Sequence, residues 1–290
     1  MELSYPQQQS IAQSSALFHL YDKAIQTADE HIIFDLSRSK SLTPLGIILL
    51  TATVRGCQRQ QKKRCSYKRP SDPAFYDFLN QIGFHNFFGL DEEGPETDSI
   101  ETGAIRLKRS TGIDPMWIET MTEIFDYHLN ISSGVKGSLR MSLNETMTNV
   151  VDHSGVNEYF VCAWTYQAKR QIRVCIADLG MGICASLRKS PNFAHLDNDY
   201  QAIKEAIKDG VSCRPGRAGL GLNHIRNFLK VNEGQLCIIS GTGKVFWKFD
   251  HGKILEQKMP TPFNGTIVKF IVNIDKEGLY FLSEEKDYLF

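Results

Sequence analysis

The sequence predicts an α/β fold in two units. The first is an α/β domain over residues 1–100. The second, over residues 111–290, is a two-layer sandwich with helices laid on a mixed, largely antiparallel sheet. Three observations lead there. Strand-like and helix-like apolar runs alternate between His31 and Phe84. An acidic, glycine-containing stretch poor in apolar residues, "GLDEEGPETDSIETGA" at 89–104, then interrupts the pattern and reads as a linker. Beyond it come two helical stretches, a pair of β-type runs, a glycine-rich entry to another helix and three closing strand candidates, an order that suits one helical layer on one sheet.

In chain order, "HIIFDL" (31–36) reads as a short buried strand. "LGIILLTATVRG" (45–56) reads as a helix with Pro44 in its first turn, where a missing N–H does no harm. A basic, glutamine-rich connector, "RQQKKRCSYKRP", leads to a helix starting near Pro73. In the second unit, helical periodicity runs from about Pro115 to Leu129, breaks at "SSGVKG", and resumes through "LNETMTNVVDHSG" (143–155). "EYFVCAWTY" and "RQIRVCIAD" read as strands joined by the turn-like "QAK". "DYQAIKEAIKDG" and "GLGLNHIRNFLK" read as helices; "QLCIIS", "KVFWKF" and "TIVKFIVN" read as strands.

Bulk composition narrows the function. Apolar residues make up 42% of 290, enough for a sizeable core. The 33 basic and 33 acidic residues balance, which argues against a surface built for nucleic acid. The basic run Arg55, Arg59, Lys62, Lys63, Arg64, Lys68, Arg69 has only Tyr67 interleaved and reads as a solvated connector. The seven cysteines form no C-x-x-C pair and fit reduced thiols. The first residues have no basic start or apolar stretch of a signal peptide, and "LGIILL" is far shorter than the roughly 20 residues of a membrane span. These features predict a cytoplasmic protein with no membrane partner.

Three segments carry the chemistry. At about 100° per residue, Glu145, Asn149 and Asp152 share one helix face, with Leu139, Leu143, Met147, Val150 and Val151 roughly opposite. Such a face is either plainly solvated or a wall of oxygen donors suited to Mg²⁺, which takes its other ligands from water and phosphate. "IADLGMGI" places Asp178 at a strand end before Gly180 and Gly182. This is either a turn or a carboxylate beside backbone bare enough for a flat heterocycle. "RPGRAGLGLNHI" brings Gly216, Gly219 and Gly221 to a helix entry, either a tight loop or an anion cradle. "SGTGKVFW" lacks the glycine and hydroxyl residue of a P-loop and reads as a hairpin turn.

In this order, E-x-x-x-N, D-x-G-x-G, G-x-G-L and the closing "GTIVKFIV" (265–272) resemble the GHKL nucleotide-binding fold over residues 111–290. That fold is shared by gyrase, Hsp90, histidine kinases, MutL and the anti-sigma-factor kinases. The resemblance implies ATP and Mg²⁺ as cofactors. Asn149 would hold the Mg²⁺, and Glu145 would be the catalytic base or a helper in phosphotransfer. Asp178 would accept from the adenine amino group, with Gly180 and Gly182 beside it and Thr266 nearby. Gly219, Leu220, Gly221 and Leu222 would cradle the phosphates. Residues 184–218 would form a lid in which Arg214 and Arg217 are phosphate partners or solvated charges. Asp152 and His153 have no firm role.

Residues 31–90 resemble a STAS domain, the fold of anti-sigma-factor antagonists, through "IIFDLS", "SLTPLG" and the helix after it. The phosphoacceptor serine of that turn is absent, because Leu45 precedes Gly46 and Thr43 is the nearest hydroxyl. A docking or dimerising role fits better than a phosphorylation target. The two resemblances together imply a Mg-ATP-dependent regulator of a partner protein. It would be a Ser/Thr kinase, an ATP-hydrolysing switch that drives homodimerisation or partner release, or a nucleotide-gated interaction module without turnover. An orthodox histidine kinase is disfavoured, because no acid follows His128 and no proline comes four residues after it.

Overall fold

Every residue from Pro44 to Val54 is buried, a pattern an amphipathic helix lying on one sheet cannot produce. The computed structural model describes residues 1–7, 14–88, 98–101, 103–153, 158–208, 211, 221–275 and 279–280, and its layers explain the pattern. The N-terminal elements are β1 (Glu2–Ser4), α1 (Ser14–Gln26), β2 (His31–Asp35), α2 (Pro44–Gln61), β3 (Arg64–Lys68) and α3 (Pro73–Gln81). The rest are β4 (Ile105–Ser110), α4 (Pro115–His128), β5 (Asn130–Ile131), α5 (Ser133–His153), β6 (Tyr159–Tyr166), β7 (Gln171–Asp178), α6 (Gly182–Leu187), α7 (Asp199–Ala206), α8 (Gly221–Val231), β8 (Gln235–Lys248), β9 (Lys253–Asn273) and β10 (Leu279–Tyr280).

β1, β2 and β3 form a three-stranded parallel sheet. A five-stranded sheet in the order β4-β6-β7-β9-β8 is antiparallel at every pairing. β5 and β10 make a small parallel pair. One apolar cluster joins Ile32 and Phe34 of the parallel sheet, Leu17 and Phe18 of α1, and Ile47 to Leu50 of α2 to Phe160, Cys162, Ala177 and Ile267 of the large sheet. α2 is therefore packed from both sides. The opposite face of the large sheet, through Val161, Val174, Ile176, Val268 and Phe270, carries α4, α5 and α8 by way of Met121, Leu139, Leu143, Met147 and Ile225. Inside α2, the Thr51 and Thr53 hydroxyls donate to the Ile47 and Leu49 carbonyls at 2.9 and 2.6 Å, so their burial leaves no hydroxyl unbonded.

Three helix starts follow one local rule, a capping oxygen followed by proline. Thr43, Asp72 and Asp114 accept from the backbone N–H groups of Gly46, Phe75 and Trp117 at 3.3, 2.9 and 3.0 Å, and Pro44, Pro73 and Pro115 follow them. The six described cysteines are free thiols. Among the described residues no helix is long and apolar enough to cross a membrane.

Four local expectations are corrected. The helix α5 does not wait for the end of "SSGVKG": it begins at Ser133, with the Ser132 hydroxyl accepting from Val135 N–H at 3.2 Å. Glycine in a helix costs roughly 1 kcal/mol, and burial of Val135 and Leu139 offsets Gly134 and Gly137. The basic connector holds a strand, β3, whose Arg-Cys-Ser-Tyr-Lys sequence has too little apolar alternation to announce itself. That basic run is also not simply solvated. Lys63 donates to the carbonyls of Ala24 and Thr27 at 3.1 and 2.6 Å, Lys68 pairs with Glu2 at 2.7 Å, and Arg55 and Arg59 pair with Glu158.

The fourth correction concerns "SGTGK". It lies within β8 as an irregularity in the β8–β9 register, and the chain reverses instead at Phe249–Gly252, where Gly252 has φ 58°. Asp199, at the start of α7, sits over the irregularity and accepts from the Thr242 N–H and hydroxyl at 2.7 and 2.8 Å. A Cβ on Gly241 would lie 2.4 Å from Asp199 Oδ2, and one on Gly243 2.7 Å from Tyr200 N. Replacing Asp199 by alanine should therefore free α7 from β8 and destabilise the protein by about 2 kcal/mol. A lower urea midpoint at unchanged m-value would record it.

Candidate nucleotide site

At one end of the large sheet the apolar rows give way to a polar one. The register sets Ser110, Tyr159, Asp178, Thr266 and Ser240 side by side across β4, β6, β7, β9 and β8. Period-two alternation puts this row on the helix-covered face, one step beyond the apolar row of Val161, Ile176, Val268 and Ile238. Asp178 is its only acid. The side chain is 4% exposed, and Oδ1 accepts from Gly180 N–H at 2.8 Å. Burial pushes its carboxyl up to about 7 from an ordinary value near 3.8, and the backbone N–H groups of Gly180 and Thr266 only partly oppose the shift.

The backbone around Asp178 has been stripped of side chains where it must come close. Gly182 has φ 80°, and a Cβ there would lie 2.8 Å from the Ser240 hydroxyl. Gly265 has φ 130°, and its Cβ would lie 2.0 Å from the Asp178 carbonyl oxygen. Ser240 ties these turns together: its hydroxyl donates to Gly265 O at 2.9 Å, accepts from Ile183 N–H at 2.8 Å, and lies 3.3 Å from Thr266 Oγ1. Sequence reasoning singled out Asp178, Gly180, Gly182 and Thr266 but missed Ser240 and Tyr159. The missed signal was positional. Ser240 closes "QLCIIS" as Asp178 closes "RVCIAD", a polar residue ending each apolar run.

The second group forms where α5 meets α8. Leu139, Leu143 and Met147 are buried, as their spacing predicts, while Glu145 and Asn149 are half-buried. Glu145 is not on an open solvent face. A Cβ on Gly221 would lie 2.9 Å from Glu145 Cβ and 3.2 Å from Ser142 O, so only glycine lets the first turn of α8 reach α5 here. Gly221 is buried and Leu222 packs against the helical core. The structure thus brings Gly221 to Glu145, and gathers Asp178, Gly180, Gly182 and Thr266 at the sheet end. Gly219, Leu220, Arg214, Arg217 and Gly216 lie outside the described residues, as do the side chains of Val150, Val151, Asp152 and His153 and most of the acidic 89–104 stretch.

Among the described residues, no three His, Cys, Asp or Glu side chains converge to hold a metal ion. Chemically, the sheet end offers a hydrogen-bond acceptor in a dry setting, and the α5–α8 junction offers the Glu145 carboxylate at the first turn of α8, with the Asn149 amide one turn further along α5. No protein-family model, curated protein or solved structure matches this chain.

Proposed function

We propose that this chain binds Mg-ATP in the manner of the GHKL nucleotide-binding proteins and uses it to regulate a partner protein. The observation that carries the reading is Asp178: a carboxylate 4% exposed, met by backbone N–H groups and paired with no cation among the described residues. A buried charge without a counter-ion is costly, and such groups concentrate where a ligand completes them. An amino group on a purine is a donor of the right kind, and Gly182 and Gly265 let the surrounding chain close tightly around Asp178.

The remaining roles follow from the same reading. Bound Mg-ATP would supply the transferable γ-phosphoryl group. Asn149 would hold the Mg²⁺, with phosphate and water providing the other oxygens, since the described protein side chains form no cage of their own. Gly221 and Leu222 would place the α8 N-terminus against the phosphates. Glu145, fixed against Gly221, would orient and deprotonate the attacking group. That group would be a serine or threonine hydroxyl of the partner in a kinase, or water in an ATP-hydrolysing switch. Asp178 speaks to binding rather than turnover, so the same observation also supports a nucleotide-gated interaction module.

Incubation with γ-labelled ATP, alone and with cell extract, separates these outcomes. Label on a second protein identifies a kinase, free phosphate a switch, and saturable binding without either a module. Glu145→Ala should keep nucleotide affinity and lower turnover by about 10²–10⁴-fold. Asn149→Ala should remove the Mg²⁺ dependence of binding. Normal turnover by Glu145→Ala would refute the base assignment.

A further inference from the structure

The ion cluster around Glu158 does something that neither the polar row nor the α5–α8 junction explains. Glu158 has a side chain only 6% exposed and meets three guanidiniums. Arg55 Nη2 lies 3.2 Å from Oε1 and Arg109 Nε 3.4 Å from the same oxygen, while Arg59 Nη1 bonds Oε2. Arg55 and Arg59 belong to α2, beneath the large sheet, and Arg109 to its edge strand β4. The carboxylate therefore ties α2 to the edge strand β4 and the start of β6 at one point.

The place of that point in the chain matters more than its charge. Glu158 directly precedes Tyr159, and Tyr159 is the register partner of Asp178 on β7. The Tyr159 hydroxyl donates to Gly112 O at 2.8 Å, holding the same strand end on its other face. On the N-terminal side, α5 ends at His153, one turn past Asn149. Glu158 thus anchors the start of β6, which pairs with Asp178 on β7 and is the next element in the chain after the helix bearing Asn149 and Glu145.

We propose that Glu158 is a positioning residue through which α2 sets the geometry of the nucleotide site, so that the N-terminal unit and the nucleotide are energetically coupled although they lie on opposite faces of the sheet. This rests on the nucleotide reading above. The physical reason is that a nearly dry carboxylate shared by three guanidiniums has few satisfactory arrangements. Loosening it frees the β6 start instead of allowing a gradual shift. A partner that draws α2 away would act on the site through the same contact.

The test uses the full chain and three variants: Glu158→Gln, Arg55→Ala/Arg59→Ala, and Val54→Ala. Val54→Ala trims buried α2 packing without touching the cluster and controls for general destabilisation. Two quantities are measured, the affinity for magnesium adenylyl imidodiphosphate and amide hydrogen exchange in 143–153 and 159–166. Both cluster variants should bind the nucleotide roughly 5- to 50-fold more weakly and exchange faster at the α5 end and the β6 start. Val54→Ala should match wild type in affinity. Unchanged affinity in the cluster variants, or an equal loss in Val54→Ala, overturns the proposal. If the wild-type chain itself binds no nucleotide, the nucleotide reading is what fails, and accelerated exchange in the cluster variants then marks Glu158 as a purely structural anchor.

Discussion

Asp178→Asn is expected to stabilise the ligand-free protein above neutral pH while sharply weakening its affinity for adenine nucleotides. The sign follows from the raised carboxyl. Between its ordinary value near 3.8 and its folded value of about 7, the folded chain keeps a proton that the unfolded chain has released. Stability of the wild type therefore falls as pH rises across that window and levels off above it. Asparagine keeps an oxygen for Gly180 N–H and carries no charge to desolvate. Its advantage should be on the order of 4 kcal/mol at about pH 8 and vanish near pH 4. Urea unfolding of both proteins at several pH values measures this directly.

Binding should move the other way. An ionised carboxylate accepts from a purine amino group, whereas the asparagine NH₂ presents a donor to a donor. A charge-assisted hydrogen bond is worth about 1.5–3 kcal/mol, so the loss should reach roughly 100-fold. Wild-type affinity should also climb with pH through about 7, as the acceptor ionises. A residue that costs the free protein stability and is needed by its ligand is the behaviour expected of a binding site.

Gly265→Ala is expected to be the most damaging single substitution for folding. At φ 130° only glycine is comfortable, and the added carbon would lie 2.0 Å from Asp178 O and 2.9 Å from Leu179 Cα, both backbone atoms. No rotamer change can relieve such a contact. β7 and β9 would have to part at the Asp178–Thr266 pair. Strain and overpacking together should cost on the order of 4 kcal/mol. For a chain of this size that lowers Tm by roughly 10 °C. A thermal melt within a degree or two of wild type would show that the close approach of β9 to Asp178 is wrong. Gly252→Ala makes a useful contrast: its φ of 58° carries strain, but nothing lies within 4 Å of the new carbon, so it should cost about 1 kcal/mol.

Much of the architecture is legible in the sequence because local chemistry and burial agree there. Pro44, Pro73 and Pro115 mark helix starts by their fixed φ, and the near-continuous apolar runs of β6 and β7 mark them as strands, though the second buried face behind those runs was not read from them. What could not be read depended on tertiary partners. β3 is polar because it flanks β2 at the margin of a small sheet. α5 starts early because Val135 and Leu139 find a core that helix propensity cannot foresee. The Gly241–Gly243 segment looks like a turn until Asp199 is seen to cover it.

The site divides along the same line. Asp178, Gly180 and Gly182 are neighbours in sequence, so their grouping was legible. Ser240 reaches Ile183 across 57 residues and Gly265 across 25, and no local pattern announces that. The packing of Gly221 on Glu145 likewise appears only when α8 is laid on α5. One apolar cluster runs from β2 through α2 into the large sheet and explains why α2 is buried on every side from Pro44 to Val54, a partnership no local pattern announces.

Titration calorimetry of the full chain with magnesium adenylyl imidodiphosphate, repeated with Asp178→Asn, bears most directly on the central idea that an uncompensated acid at the sheet end awaits a purine. Saturable one-to-one heat in the wild type, weakened by acid and lost in the variant, is the predicted outcome. Silence at millimolar ligand, or equal heat from both proteins, would contradict it.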